Sequence, residues 1–311
     1  MKIIYYLIYG AWYTISLLPL KVLYVFSDIL FFLIFYILSY RRRIVWANLV
    51  TCFPEKEEEE LKEIERGFYH WFCDYIVETI KLLSISKSEL QKRMIIKGTE
   101  NINKYILEGQ SCAIYSGHYC NWEWMSSLPL WITPKAEFVQ IYHPLQNKVF
   151  DKLFLQLRQR FNGVCTPMSE TLRKAINDQK TGKLTVTGYI SDQAPHWSNI
   201  HYWCNFLNHD TPVLTGAERI IRKLNQAVFY LDMHRTKRGY YEAEIKLITH
   251  ESKTKKEFEI TDIYFKLLES TIRNHPEFWL WSHKRWKRTR EKFNLRFEVI
   301  NGKVITKKAN S

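Results

Sequence analysis

His118 and Glu123 stand in the segment Ser116-Gly117-His118-Tyr119-Cys120-Asn121-Trp122-Glu123-Trp124, directly after residues 111–115 (SCAIY), a run that reads as a short buried strand. Strand ends are where the ligand sites of open α/β sheets gather. In one continuous helix five residue steps turn about 500°, leaving the two side chains on different faces. They meet if His118 lies in the strand-to-helix turn and Asn121 caps the helix that carries Glu123. A carboxylate beside an imidazole fixes its tautomer and stabilises the imidazolium, so His118 is a candidate general base. The competing reading is a satisfied core histidine; Gly117, which lets backbone approach closely, and Glu123, which supplies the orienting acid, favour catalysis. Cys120 offers an acyl-accepting thiol nearby, but His118 with Glu123 already accounts for activation without it.

The elements that must position this pair alternate in type. Strands are expected at 111–115, 137–142 (EFVQIY), 183–190 (KLTVTGYI), 227–232 and 240–247, and helices at 145–161, 170–179, 215–224 and 262–274. Residues 121–131 (NWEWMSSLPLW) have helical character. Pro54 followed by a run of glutamates reads as a helix start continuing to about residue 84, because acidic side chains suit the positive end of a helix dipole. Strands alternating with helices predict an α/β layered fold with a mainly parallel central sheet flanked by helices.

Two further features bound the function. The 311 residues carry 45 Lys plus Arg against 32 Asp plus Glu, a net charge of +13, and 46% hydrophobic residues, which excludes a disordered chain. Residues 3–20 hold no charge, and a second apolar stretch, broken by Asp28, runs up to Arg41, Arg42 and Arg43. The division expected is residues 1–40 as an N-terminal helical membrane anchor and 41–311 as one catalytic domain. The anchor is either one spanning helix with an interfacial one, or a hairpin; a buried hairpin of a soluble domain is the alternative. The positive charge after the apolar region places the catalytic body in the cytoplasm. The six cysteines show no C-x-x-C pair, and His196, His201, Cys204 and His209 lack paired ligand spacing, so neither a metal nor another cofactor is indicated. The segment 284–292, with six Lys/Arg, comes without any helix-turn-helix, zinc-finger or RNA-binding signature, so it reads as attraction to an anionic membrane surface or acidic carrier rather than to nucleic acid.

GHYCNWE resembles the H-x4-D/E motif of the glycerolipid and lysophospholipid acyltransferase superfamily. Its surroundings are similar to the bacterial late acyltransferases of lipid A biosynthesis, the lauroyl/myristoyl family: RRR with NLVTCFPE, IYHPLQNKVFD leading to LRQRFNG, Ser191-Asp192-Gln193, and EFWLWSHKRWK at 277–287. These segments fall in order between about residue 40 and 290. The resemblance implies a membrane-bound acyltransferase of the bacterial inner membrane, facing the cytoplasm, that moves a fatty acyl chain from an acyl carrier protein thioester to a hydroxyl of a lipid A precursor. In that reading His118 takes the hydroxyl proton and Glu123 orients His118. Arg160, with Arg158 second, is expected to hold a phosphate or the carbonyl oxygen, the alternative being a helix-surface cation. Asp192, after the strand at 183–190, is expected to position the acceptor or a basic neighbour, or to cap a helix. Asn121 and Glu218 complete the expected substrate-binding set. The same chemistry on a lysophospholipid, an aminolipid or another glycolipid is the alternative, followed by a non-catalytic basic membrane tether.

Overall fold

Short uncharged runs in the body of the sequence build the centre of the sheet. CAIYS and TVTGYI pair in parallel, apolar on both faces because both faces are covered. The computed structural model describes residues 2–300 and 302–307. Its strands are β1 (Met94–Lys97), β2 (Cys112–Ser116), β3 (Glu137–Tyr142), β4 (Val164–Pro167), β5 (Thr185–Ile190), β6 (Tyr202–Phe206), β7 (His209–Val213), β8 (Ala227–Lys237), β9 (Tyr240–Thr249), β10 (Phe297–Ile300) and β11 (Lys303–Thr306). The main sheet has the order β1-β9-β8-β2-β5-β3-β4, parallel at every contact except the β8–β9 hairpin. The pairs β6–β7 and β10–β11 are separate antiparallel hairpins.

The helices are α1 (Lys2–Leu17), α2 (Leu20–Phe32), α3 (Arg42–Cys52), α4 (Glu58–Lys81), α5 (Lys87–Arg93), α6 (Thr99–Leu107), α7 (Lys148–Arg158), α8 (Thr171–Lys180), α9 (Gly216–Leu224), α10 (Glu259–Asn274) and α11 (Arg290–Arg296). The expected α/β architecture is therefore present. Short strands outside a clear apolar run, β1, β4 and the β6–β7 hairpin, are not evident from the sequence pattern. Trp122–Leu130 winds as a 3₁₀ turn rather than an α-helix, with Pro129 inside it, where proline removes a backbone donor.

The sheet forks at its C-terminal edge. β5 stays paired with β2 as far as Ser116 and Ile190, and β3 with β4 as far as Tyr142 and Pro167, but β3 and β5 pair only up to Gln140 and Gly188. The chain leaves β3 for α7 on one face, where the Gln140 amide donates to the Arg158 carbonyl at 2.9 Å. On the other face Lys174 of α8 reaches Glu137 of β3 at 2.7 Å, and Tyr264 of α10 stacks on Tyr115 of β2 with ring centroids 4.7 Å apart. Neighbouring strands whose connections diverge to opposite faces leave a crevice between their ends.

The N-terminal helices dock on α4. The helical run beginning at Lys2 ends at Leu17, before Pro19, which disfavours helical backbone in the residue preceding it; the apolar run 3–20 is therefore not one spanning helix. Among the described residues, Leu20–Ile37, α2 extended by a π-helical turn, is the helix long and apolar enough to cross a membrane. Its inner face meets α4 through Tyr24 on Glu78 (2.9 Å), Ser27 on Asp74 (2.7 Å) and Phe31 stacked on His70. Its outer face leaves Val25, Phe26, Ile29 and Phe32 more than half exposed.

Candidate active site

The turn after β2 brings His118 to the forked edge. Gly117 is required there: a Cβ would lie 2.6 Å from the Leu268 side chain of α10 and 3.4 Å from the Asp192 carboxylate. The turn is pinned to residues 278–280, with the Cys120 amide donating to the Phe278 carbonyl (2.9 Å) and the Leu280 amide to that of His118 (3.1 Å).

Asp192, two residues past β5, faces His118 directly. Its Oδ1 lies 2.6 Å from His118 Nδ1, and its Oδ2 accepts from the His118 amide (2.9 Å) and the Trp279 indole (2.8 Å). Burial by itself would raise the Asp192 pKa, but the His118 charge and these hydrogen bonds outweigh it and hold the group down to about 2. An ionised carboxylate only accepts, so the imidazole carries its proton on Nδ1 and presents the Nε2 lone pair to the cleft. The Gln193 side-chain amide sits 3.2 Å from that lone pair and must donate to it.

Glu123 is not the group on the His118 ring nitrogens. It is buried on the cleft wall and bound bidentately by Arg158, with Nε to Oε2 at 2.8 Å and Nη2 to Oε1 at 2.6 Å. Burial works against the Arg158 charge, yet the Glu123 carboxylate more than offsets this and raises the Arg158 pKa. The expected order of the two arginines is reversed. Arg158 lines the cleft, whereas Arg160 donates to the Leu82 carbonyl (2.8 Å) and lies over the Phe161 ring.

Two other expected substrate contacts are structural. Asn121 is fully buried; its Oδ1 caps the Trp124 amide at 3.2 Å and its Nδ2 donates to Glu78 at 2.6 Å. Glu78 also accepts from Tyr24 and Tyr241, so one buried carboxylate ties α2 to the turn behind His118. Glu218 is buried and pins α9 to α10 through the Thr261 amide (2.8 Å) and hydroxyl (2.5 Å). Cys120 is wholly buried with its thiol toward the Met233 carbonyl, so it has no route to a substrate.

The segment 277–287 is partly interior. Trp279 and Trp281 are buried rather than lying at a membrane surface, and Arg285 is fully buried, donating to the Pro212 carbonyl at 2.8 Å. Lys284 and Lys287 remain exposed beside Arg41, which reaches the Ser282 carbonyl at 3.0 Å. Among the described residues no three His, Cys, Asp or Glu side chains converge as a metal-binding group. Trp279 and Gln193 were not singled out as site residues; the only sequence signs of them were the tryptophan-rich run and the adjacency of Gln193 to Asp192.

The cleft at the fork has a volume of about 350 Å³, and its lining includes His118 and Gln193 together with Gly188 and Phe138. An aspartate-held histidine whose unprotonated Nε2 accepts from the Gln193 amide, beside a largely apolar cleft, is an arrangement able to take a proton from a substrate with a substantial apolar part. The sequence comparisons name the chemistry. Residues 1–288 match the model of the bacterial lipid A biosynthesis acyltransferase family, and the chain belongs to that family. It is therefore an enzyme of the acyltransferase class. It is also similar to lipid A biosynthesis acyltransferase 2 of Shigella flexneri, with 20% identity over 251 residues, covering 77% of this chain and 76% of the relative.

Proposed function

We propose that the protein transfers a fatty acyl chain from an acyl carrier protein thioester to a hydroxyl of a lipid A precursor, with His118 as general base. The observation that carries this is the Asp192–His118 pair, which leaves Nε2 unprotonated on the lining of a cleft that suits an acyl chain. The acceptor hydroxyl displaces the Gln193 amide from Nε2 and gives its proton to that nitrogen as its oxygen attacks the thioester carbonyl carbon. Asp192 stabilises the imidazolium that forms, a contribution of roughly 10²–10⁴-fold for general base catalysis. The displaced Gln193 amide is then a neutral donor available to the oxyanion. Collapse breaks the C–S bond, and the departing thiolate takes the proton back from Nε2, giving an ester and a free thiol. No group is left on the enzyme.

Glu123 acts through Arg158. It fixes a cation in the cleft wall, where a guanidinium can meet a phosphate or the developing negative charge. The outer face of α2 is its apolar face, the reverse of a soluble surface helix, and this supports a hairpin lying in the bilayer interface with the exposed Arg41, Lys284 and Lys287 toward anionic headgroups. Association with the cytoplasmic face of the inner membrane, with the cleft open to the cytoplasmic carrier, follows from that reading.

The test is the mass spectrum of lipid A from a deletion strain complemented with wild type or with His118→Ala. The expected result is loss of one acyl group that wild type restores and His118→Ala does not. Restoration by a folded His118→Ala protein defeats the mechanism. An unchanged lipid A beside the loss of another acylated lipid reassigns the acceptor.

A further inference from the structure

The cleft straddles the sheet because β3 and β5 separate beyond Gln140 and Gly188. Strand side chains alternate between faces, so the two arms of the cleft have different linings. On the α7 side the arm carries the Glu123–Arg158 ion pair and Gln140, together with Ser116, whose buried hydroxyl has no partner. On the α8–α9 side no Asp, Glu, Lys or Arg among the described residues lines it: Ile141, Met168, Ala217 and Ile220 stand with Tyr189, whose buried hydroxyl likewise has no partner.

We infer that the α8–α9 arm holds the fatty acyl chain of the donor, and that Ala217 and Ile220 limit the chain length the enzyme accepts. This rests on the acyl-transfer reading above and adds to it which side of the sheet the chain enters and what stops it. A hydrocarbon chain in the α7 arm would cover the Arg158 side chain, still 24% exposed, without replacing the water contacts it loses. In the α8–α9 arm the same chain meets apolar surface. The wall at Ala217 does not yield easily: the next residue, Glu218, is held on Thr261, and the Ile221 carbonyl accepts from the buried Ser252 hydroxyl at 3.2 Å. Met168, nearly half exposed where the arm opens, is the adaptable part of the lining.

The experiment measures kcat/KM of the full-length enzyme for a series of saturated acyl carrier protein thioesters, with a purified lipid A precursor as acceptor. Ala217→Leu replaces a methyl with an isobutyl group and keeps helix propensity. It is expected to reduce kcat/KM for the longest donor that wild type accepts by roughly 10-fold or more, while a donor about two methylenes shorter keeps its rate. Ile220→Ala is expected to move the optimum to longer chains. Gly188→Ala, on the α7 side, places a methyl at ordinary contact distance, 3.6 Å, from the Phe138 ring and is expected to scale all donors alike. Should Ala217→Leu fail to fold, Ala217→Val provides the smaller step in the same direction. A uniform change across donors in the folded Ala217 variants, or a shifted optimum in Gly188→Ala alone, overturns the assignment of the arm. Absence of transfer by wild type from every donor overturns the acyl-transfer reading itself.

Discussion

Replacing Asp192 by asparagine separates the two carboxylates that compete for the role of orienting His118. Asp192 Oδ2 accepts two N–H groups, from His118 and Trp279, while Oδ1 accepts one, from Nδ1. An asparagine amide has one oxygen, and it satisfies more donors at the Oδ2 position. Its NH2 then points at His118 Nδ1, which must become an acceptor, so the ring proton moves to Nε2 and the base is lost. The expected loss is that of general base catalysis, roughly 10²–10⁴ in kcat, or about 2.7–5.4 kcal/mol at 1.36 kcal/mol per decade. KM should change little, because Asp192 is buried behind the imidazole. A second signature is thermodynamic. The native carboxyl titrates near 2 against an ordinary 3.8, so the unfolded chain takes up the proton first. The stabilisation, about 2–3 kcal/mol, is present above pH ~4 and is lost as pH falls through ~2. Wild type should therefore lose unfolding free energy between pH 5 and 2.5 more steeply than Asp192→Asn in denaturant titrations. Steady-state acyl transfer at neutral pH gives the kinetic half. A kcat within tenfold of wild type, with Glu123→Gln instead abolishing transfer, would refute the reasoning.

The Glu123–Arg158 pair is mutually dependent. Glu123→Leu or Arg158→Leu alone should destabilise by about 3–5 kcal/mol, whereas the double variant Glu123→Leu with Arg158→Leu recovers most of that; additivity of the single and double changes in urea unfolding contradicts a coupled pair. On α2, Phe26→Ser with Phe32→Ser removes two outward rings worth about 1.5–3 kcal/mol each in apolar surroundings, so binding to anionic vesicles should fall by at least about 100-fold in flotation assays. Unchanged flotation would rule the outer face of α2 out as the membrane contact.

Local pattern determined the central architecture and one member of the site. Apolar runs bounded by turn residues placed β2, β3 and β5 to within two residues, because strands covered on both faces must be apolar along their length. His118 stood out for a similar reason: a Gly-His pair directly after such a strand puts the ring at the sheet edge whatever the remainder of the chain does. Asp192 was placed at the same edge by the end of β5, but its partner was not identifiable, since the two residues are 74 apart in sequence and meet only through the β2–β5 pairing. The proximity of Glu123 along the chain suggested the wrong pair. Arg158 and Arg160 are chemically alike and two residues apart; the end of α7 turns one into the cleft and the other toward the Leu82 carbonyl. In the tryptophan- and arginine-rich run at 277–287, Trp279, Trp281 and Arg285 are buried while Lys284 and Lys287 are exposed, a division that charge and aromatic content do not report because they do not say which neighbours cover a residue. The longer elements follow from short-range periodicity, which the sequence carries; the short β1, β4 and the β6–β7 hairpin do not. A catalytic pair depends on which strands lie side by side, and only the folded sheet decides that.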